Sequence, residues 1–309
     1  AHHQGMCLLS LAYVLLNRPM QQRFESDLSF QATLLLLQER IPKNTLLQNR
    51  SVEDSEGAAF SDAPETSVHT PVGVATPTPE VQLLSNGRYQ VMITNAGGGY
   101  SRWKDLAVTR WREDSTCDNW GTFVYVRDIT SGEFWSAAHQ PTLKSAQSYE
   151  AMFSEGRAEF RRRDHDIETY SEIVVSPEDD IELRRVRVTN RSNTRRTIEI
   201  TSYAEVVLAA PAADITQPSF GNLFVQTEII GDRHAILATR RPRSADEQTP
   251  WMFHLLAVNG TDIFNVSYET DRMQFIGRGN TLAEPQAMSS SINALSGSEG
   301  SVLDPIVAI

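Results

Sequence analysis

The sequence predicts a mainly β protein, an antiparallel sandwich preceded by a short α-helical tail and a linker. Three observations carry this. From Val81 onward apolar residues recur at alternate positions in many short runs; turn residues separate those runs; and no helical period intervenes. Before Val81 the spacing is helical and then lost altogether.

Residues 1 to 42 read as helices. Met6, Leu9, Tyr13 and Leu16 share one face, and Pro19 lies just beyond them. A second helix is expected from Asp27, whose carboxylate can cap free N–H groups, through Leu34 to Leu37, with Pro42 ending it. Two helices alone cannot bury their faces, so the expected origin is the end of an upstream domain. Residues 43 to 80 read as linker: Ser, Thr, Pro and acidic residues without apolar period cannot offset their ordering entropy.

The sandwich is expected over residues 81 to 309. Tyr89, Val91 and Ile93 alternate with Arg88, Gln90 and Met92, and Asn95 to Gly99 is a glycine-rich turn. That turn lacks both nucleotide-loop patterns. Thr122 to Asp128 and Glu133 to Ser136 form a hairpin about Ser131 and Gly132, and Ile173 to Val175 is a short strand. Ile181 and Leu183 are odd whereas Val186 and Val188 are even, which predicts a bulge near Arg184 or Arg185. After the polar turn Asn190 to Arg195, Ile198, Ile200, Ser202, Ala204, Val206 and Leu208 give a long strand with one inward face. Further strands are expected at Asn222 to Ile230, His234 to Arg240 and Trp251 to Val258.

Composition excludes several classes. The net charge is −11, so no nucleic-acid partner is expected, and the one basic triplet, Arg161 to Arg163, reads as a solvated strand edge. Two distant cysteines, Cys7 and Cys117, suit a reducing compartment rather than a disulfide framework. The apolar runs are too short for a bilayer, which takes about 20 residues. His2, His3 and Gln4 lack a supporting ligand at metal spacing, so no metal and no cofactor are expected.

The functional signal is concentrated between Asn86 and Pro141. Four of the five tryptophans (Trp103, Trp111, Trp120, Trp135) stand there among Arg102, Arg110, Arg112, Asp105, Asp114 and Asp118. Aromatic faces stack on the C–H faces of sugars while guanidinium and carboxylate groups bind hydroxyls. The same residue types also fill cores and anchor domain interfaces.

The segments Asn95 to Asp105 (NAGGGYSRWKD), Thr109 to Asp114 (TRWRED), Tyr125 to Asp128 (YVRD) and Gly132 to Pro141 (GEFWSAAHQP) resemble the opening β-domain of the glycoside hydrolase family 94 phosphorylases. Residues 1 to 42, AHHQGMCLLSLAYVLLNRPMQQRFESDLSFQATLLLLQERIP, resemble the closing helices of the glucoamylase-like domain that precedes such a region in cyclic β-1,2-glucan synthases. The resemblance implies a large antiparallel super-sandwich. Its general acid and phosphate-binding residues would lie in a downstream (α/α)6 barrel, so no catalytic residue is expected here.

Glycosidic cleavage needs a carboxylic acid and an opposing base, nucleophile or phosphate. Asp105, Glu113, Asp114, Asp118, Glu150 and Glu205 are available carboxylates, and their pairing is not legible from spacing. The expected role is support of the downstream barrel of the same polypeptide and shaping of its sugar cleft. Tyr100, Arg102, Trp103, Arg110, Trp111, Arg112 and Trp120 would form the rim, facing a β-glucan or gluco-oligosaccharide. A homodimer interface is a further implied partner, and the resemblance places the parent on the cytoplasmic side of an inner membrane. The alternatives are an autonomous carbohydrate-binding module and a fragment of a stand-alone β-glucan phosphorylase.

Overall fold

The long stretch with period-two patterning builds one large sheet, on which two smaller sheets are laid. The computed structural model describes residues 2–27, 74, 79–114, 116–242, 244, 248–261, 263, 265–289 and 294–309. The chain falls into two units, Ala1–Ala63 and Pro64–Ile309.

In the first unit α1 spans His2–Leu15 and α2 spans Pro19–Ser26. Pro19 therefore does not merely follow the first helix. It opens the second at N1, where its missing N–H costs nothing, after Asn17 and Arg18 take left-handed φ values of 53° and 57°. Asp27, expected to start a helix, follows the end of α2, its N–H donating to Phe24 O at 3.3 Å. Met6, Leu9, Tyr13 and Leu16 are all exposed. The helix expected through Leu37 and most of the expected linker lie outside the described residues.

The second unit is mainly β and antiparallel. Its nine-stranded sheet has the order β1 (Val81–Ser85), β2 (Tyr89–Thr94), β3 (Gly99–Trp103), β4 (Leu106–Thr109), β11 (Ile198–Ala209), β16 (Pro305–Ala308) and β15 (Glu269–Asp271), with β5 (Phe123–Asp128) pairing β11 and β6 (Phe134–Ser136) pairing β5. A four-stranded sheet joins β7 (Ser148–Ser154), β8 (Arg157–Asp164), β9 (Ile167–Val175) and β10 (Glu182–Asn190). A three-stranded sheet joins β12 (Val225–Ile230), β13 (Ala235–Arg240) and β14 (Trp251–Leu255).

Side-chain alternation decides which face packs on what. Leu84, Val91 and Ile93 bury against Phe153, Phe160 and Ile173 of the four-stranded sheet. Ala204, Val206 and Leu208 bury against Val225, Ile236 and Ala238 of the three-stranded sheet. On the opposite face Phe123, Tyr125 and Tyr203 pack against Phe275 and Ile276 of α5 (Arg272–Ile276). β11 thus serves both faces and is buried on both from Thr201 onward, rather than on the single inward face its alternation predicts.

Three expectations are corrected. β10 keeps an unbroken register with β9 from Glu182↔Val175 to Asn190↔Ile167, so no bulge occurs near Arg184. Leu183 is simply an outward residue, 56% exposed, and the irregularity sits in β11 between Val206 and Ala209, where Leu208 takes φ 51°. Asn222 ends a helix rather than beginning a strand. Pro211 and Pro218 open two short helices, α3 (Pro211–Thr216) and α4 (Pro218–Asn222), that carry the chain from β11 to β12. In the basic triplet only the outer arginines are solvated. Arg162 is 1% exposed, paired with Asp164 at 2.7 Å and donating to Ala138 O and Lys144 O.

Candidate functional site

The seven expected rim residues are divided by strand alternation. Ser101 Oγ donates to Glu182 Oε2 at 2.5 Å and Trp103 Nε1 to Asp180 Oδ2 at 2.6 Å, so both point toward the chain that opens β10. Tyr100 and Arg102 point to the other face. There the Tyr100 ring meets the edge of Trp111 at 5.6 Å, and the Arg102 guanidinium stands 4.4 Å over the Tyr100 ring. All three are half-buried, leaving part of each ring or guanidinium open to solvent.

Arg110 departs from the rim. It is 6% exposed, and its N–H groups meet Glu205 Oε2 at 2.9 Å, Asp304 Oδ1 at 3.2 Å, Asp214 Oδ1 at 3.3 Å and Asn222 Oδ1 at 2.7 Å. Burial opposes its charge, but Glu205, Asp214 and Asp304 outweigh that and raise its pKa. Glu205 takes a second cation, Arg272 Nε at 2.8 Å, and accepts from the Tyr203 hydroxyl at 3.0 Å. Arg112 extends the network, reaching Asp214 Oδ2 at 2.6 Å. Three arginines and three carboxylates thereby bind the chain after β4 to β11, α3, α4, α5 and the approach to β16. Sequence reasoning missed this hub because the partners of Arg110 lie 95 to 194 residues away.

The glycine-rich turn fixes the other end of the rim loop. Gly99 N donates to Trp120 O at 2.7 Å, and a Cβ on Gly99 would lie 1.9 Å from Met92 O, at a φ of 147° that side chains avoid. A Cβ on Gly98 would strike the Asp118 carboxylate, which accepts from the Thr94 hydroxyl. Burial pushes the Asp118 carboxyl above its usual range. Asp114 is solvent-facing, and the Thr116 hydroxyl and amide hold it down at about 2. Trp120 is half-buried beside this turn.

Three histidines make packing or hydrogen-bond contacts within the sandwich. His139 meets the Tyr149 ring edge at 6.3 Å, and His234 Nδ1 lies 3.3 Å from the Tyr268 hydroxyl. His254 Nε2 lies 2.7 Å from Ser202 Oγ, and burial lowers its pKa to about 4. Among the described residues no group of three or more His, Cys, Asp or Glu side chains is placed to hold a metal ion. Among them, too, no helix is long and apolar enough to cross a membrane.

Residues 64–309 match the glycosyl hydrolase 94 supersandwich domain. Over 310 aligned residues and the whole of this chain, it is 36% identical to the cyclic beta-(1,2)-glucan synthase NdvB of Rhizobium meliloti (strain 1021), of which it spans 11%. It is 26% identical to the N,N'-diacetylchitobiose phosphorylase of Vibrio furnissii over 69% of the chain, and 24% identical to the solabiose phosphorylase of Paenibacillus borealis over 66%, spanning 26% of each. The sheet architecture and this match agree: the chain belongs to the glycosyl hydrolase 94 supersandwich domain family.

Proposed function

We propose that the chain is an internal segment of a cyclic β-1,2-glucan synthase-like protein, whose sandwich supports a downstream (α/α)6 barrel and shapes the rim of its sugar cleft. The carrying observation is the Tyr100, Arg102 and Trp111 cluster, two aromatic rings and a guanidinium kept part-open on one sheet face. That combination suits a β-glucan or gluco-oligosaccharide. Glu205 and Asp214 are engaged by arginines and Asp118 sits under the glycine turn, which supports a role without catalysis. Arg110 and Arg112 hold the rim loop in place, while Trp103 braces the other face and Trp120 flanks the turn.

The synthase reading is favoured over the phosphorylase one because the 36% identity includes the helical first unit. Residues 1 to 42 are then the end of a glucoamylase-like domain and 43 to 80 the connection. The parent would sit at the cytoplasmic side of an inner membrane, and the sandwich would offer a surface for a homodimer. Calorimetric titration of the chain with β-1,2-gluco-oligosaccharides and cello-oligosaccharides tests the rim. Heat selective for the β-1,2 series that Trp111→Ala abolishes supports it. Equal binding by wild type and Trp111→Ala overturns the rim assignment, and selective binding retained without the barrel makes the sandwich an autonomous module.

A further inference from the structure

A short strap closes two sheet edges at once. Among the described residues β12 ends the three-stranded sheet and β15 ends the nine-stranded one, so each presents main-chain groups that no further strand of its sheet takes. Leu295 to Gly300 covers both. Thr227 N donates to Gly300 O at 3.0 Å, Gly300 N donates back to Thr227 O at 2.8 Å, and Ile229 N donates to Glu299 Oε2 at 3.0 Å. On the β15 side Gly297 N donates to Tyr268 O at 2.8 Å and Thr270 Oγ1 to Ser298 O at 2.9 Å. One carboxylate pins the strap down. Glu269 is 1% exposed, and its Oε2 accepts from Ser296 Oγ at 2.6 Å and Ser296 N at 3.3 Å. Its Oε1 accepts from the Ser298 hydroxyl and from Thr270 N and Asp271 N, the two amides each at 3.0 Å. These donors are all neutral, and the three from Ser296 and Ser298 belong to the strap. A buried charge held by neutral donors is costly once some of them leave, so the charge and the strap hold each other.

We propose that Leu295 to Gly300 is a guard strap locked by Glu269, and that its release lets two copies of this chain pair edge to edge through β12. β12 is the edge with the length to pair, six residues against three in β15. Its sequence is also self-complementary. A two-fold axis at Thr227 sets Thr227 against Thr227, where the two main chains exchange the hydrogen bonds that Gly300 now makes. The same register sets Val225 against Ile229 and Gln226 against Glu228. Val225 and Ile229 pack on the core beneath the three-stranded sheet, so apolar meets apolar. Gln226 and Glu228 alternate to the outer face, where an amide can donate to a carboxylate. The strap therefore holds, within one chain, the place a second copy would take. The sugar rim plays no part in this inference.

The test reads amide hydrogen exchange and sedimentation of the whole chain, wild type against Glu269→Gln. The substitution keeps the side chain's shape but turns an amide N–H group toward partners that are themselves donors. In dilute solution the expected result is exchange about tenfold faster at Gly297, Gly300, Thr227 and Ile229, with β13 unchanged. In concentrated solution Thr227 and Ile229 should slow again while Gly297 and Gly300 stay fast, and the sedimenting mass should reach twice that of the wild type. Unchanged exchange at Gly297 and Gly300 overturns the proposal, because Glu269 is then no lock. Fast exchange at all four amides with wild-type mass at every concentration overturns it too, because no second copy takes the edge. Where Glu269→Gln also speeds β13, the sheet itself has opened, and the paired substitutions Ser296→Ala and Ser298→Ala decide by the same readings. They remove two strap hydroxyls and leave β15 untouched.

Discussion

Arg110 and Trp111 are neighbours in the chain and belong to opposite kinds of structure. Arg110 is closed within a six-charge network that reaches across the nine-stranded sheet, whereas Trp111 stands part-open against Tyr100 and Arg102. Residue type alone does not separate them, because arginine occurs in both, Arg110 in the network and Arg102 in the part-open cluster. Position on the pleat and the presence of a distant carboxylate do. The difference separates a group that holds the loop from a surface that can meet a ligand.

The largest expected effect falls on the hub. Arg110→Ala leaves Glu205, Asp214 and Asp304 facing one another with only Arg272 and Arg112 to compensate, and removal of one member of a buried pair costs about 3 to 5 kcal/mol. Urea unfolding of the wild type and the variant gives the difference. A cost under about 1 kcal/mol would erase the distinction between hub and rim.

A half-buried base without a paired carboxylate makes the next test. His254 contacts Ser202 Oγ and has its pKa lowered from 6.5 to about 4 by burial, so the folded state resists its protonation. The unfolded chain takes up that proton first as pH falls. Stability from neutral His254 is therefore complete above pH 6.5, is lost between about 6.5 and 4, and changes no further below that. The loss amounts to up to about 3 kcal/mol. Unfolding free energies at pH 7, 5.5 and 4.5, wild type against His254→Gln, isolate this slope.

Trp111→Ala should act the other way round. A half-buried ring at the rim loses little packing, about 1 kcal/mol or less, while oligosaccharide affinity drops at least tenfold because the stacking face is gone. A large loss of stability with intact affinity would move Trp111 from the rim to the framework.

Much of the sandwich is legible because half-buried strands write their period into the sequence. Tyr89, Val91 and Ile93 show it, and Ser131 and Gly132 mark the turn of the β5–β6 hairpin. β7 and β8 carry the same alternation, Tyr149, Ala151 and Phe153 and then Ala158 and Phe160, but in β8 Arg162 and Asp164 hold inward positions that an apolar period does not predict. The hub is illegible for another reason: Glu205, Asp214 and Asp304 become partners of Arg110 only when β11, α3 and the approach to β16 meet. Three consecutive arginines suggest a solvated edge, yet β8 turns the middle one inward.

The smallest effect belongs to the outer face of β10, and it completes the contrast with Arg110. Arg185 pairs with Glu172 across the β9–β10 register, a contact as close as any in the hub. Its side chain is nevertheless 65% exposed, so water competes for the guanidinium and the freedom of a long side chain is lost on pairing. Arg185→Ala should change unfolding free energy by less than about 0.5 kcal/mol, and added salt should shrink even that. Equal costs for Arg185→Ala and Arg110→Ala would mean that proximity rather than burial sets the worth of an ion pair in this fold. Unequal costs assign the difference to the carboxylates that only a buried arginine leaves stranded.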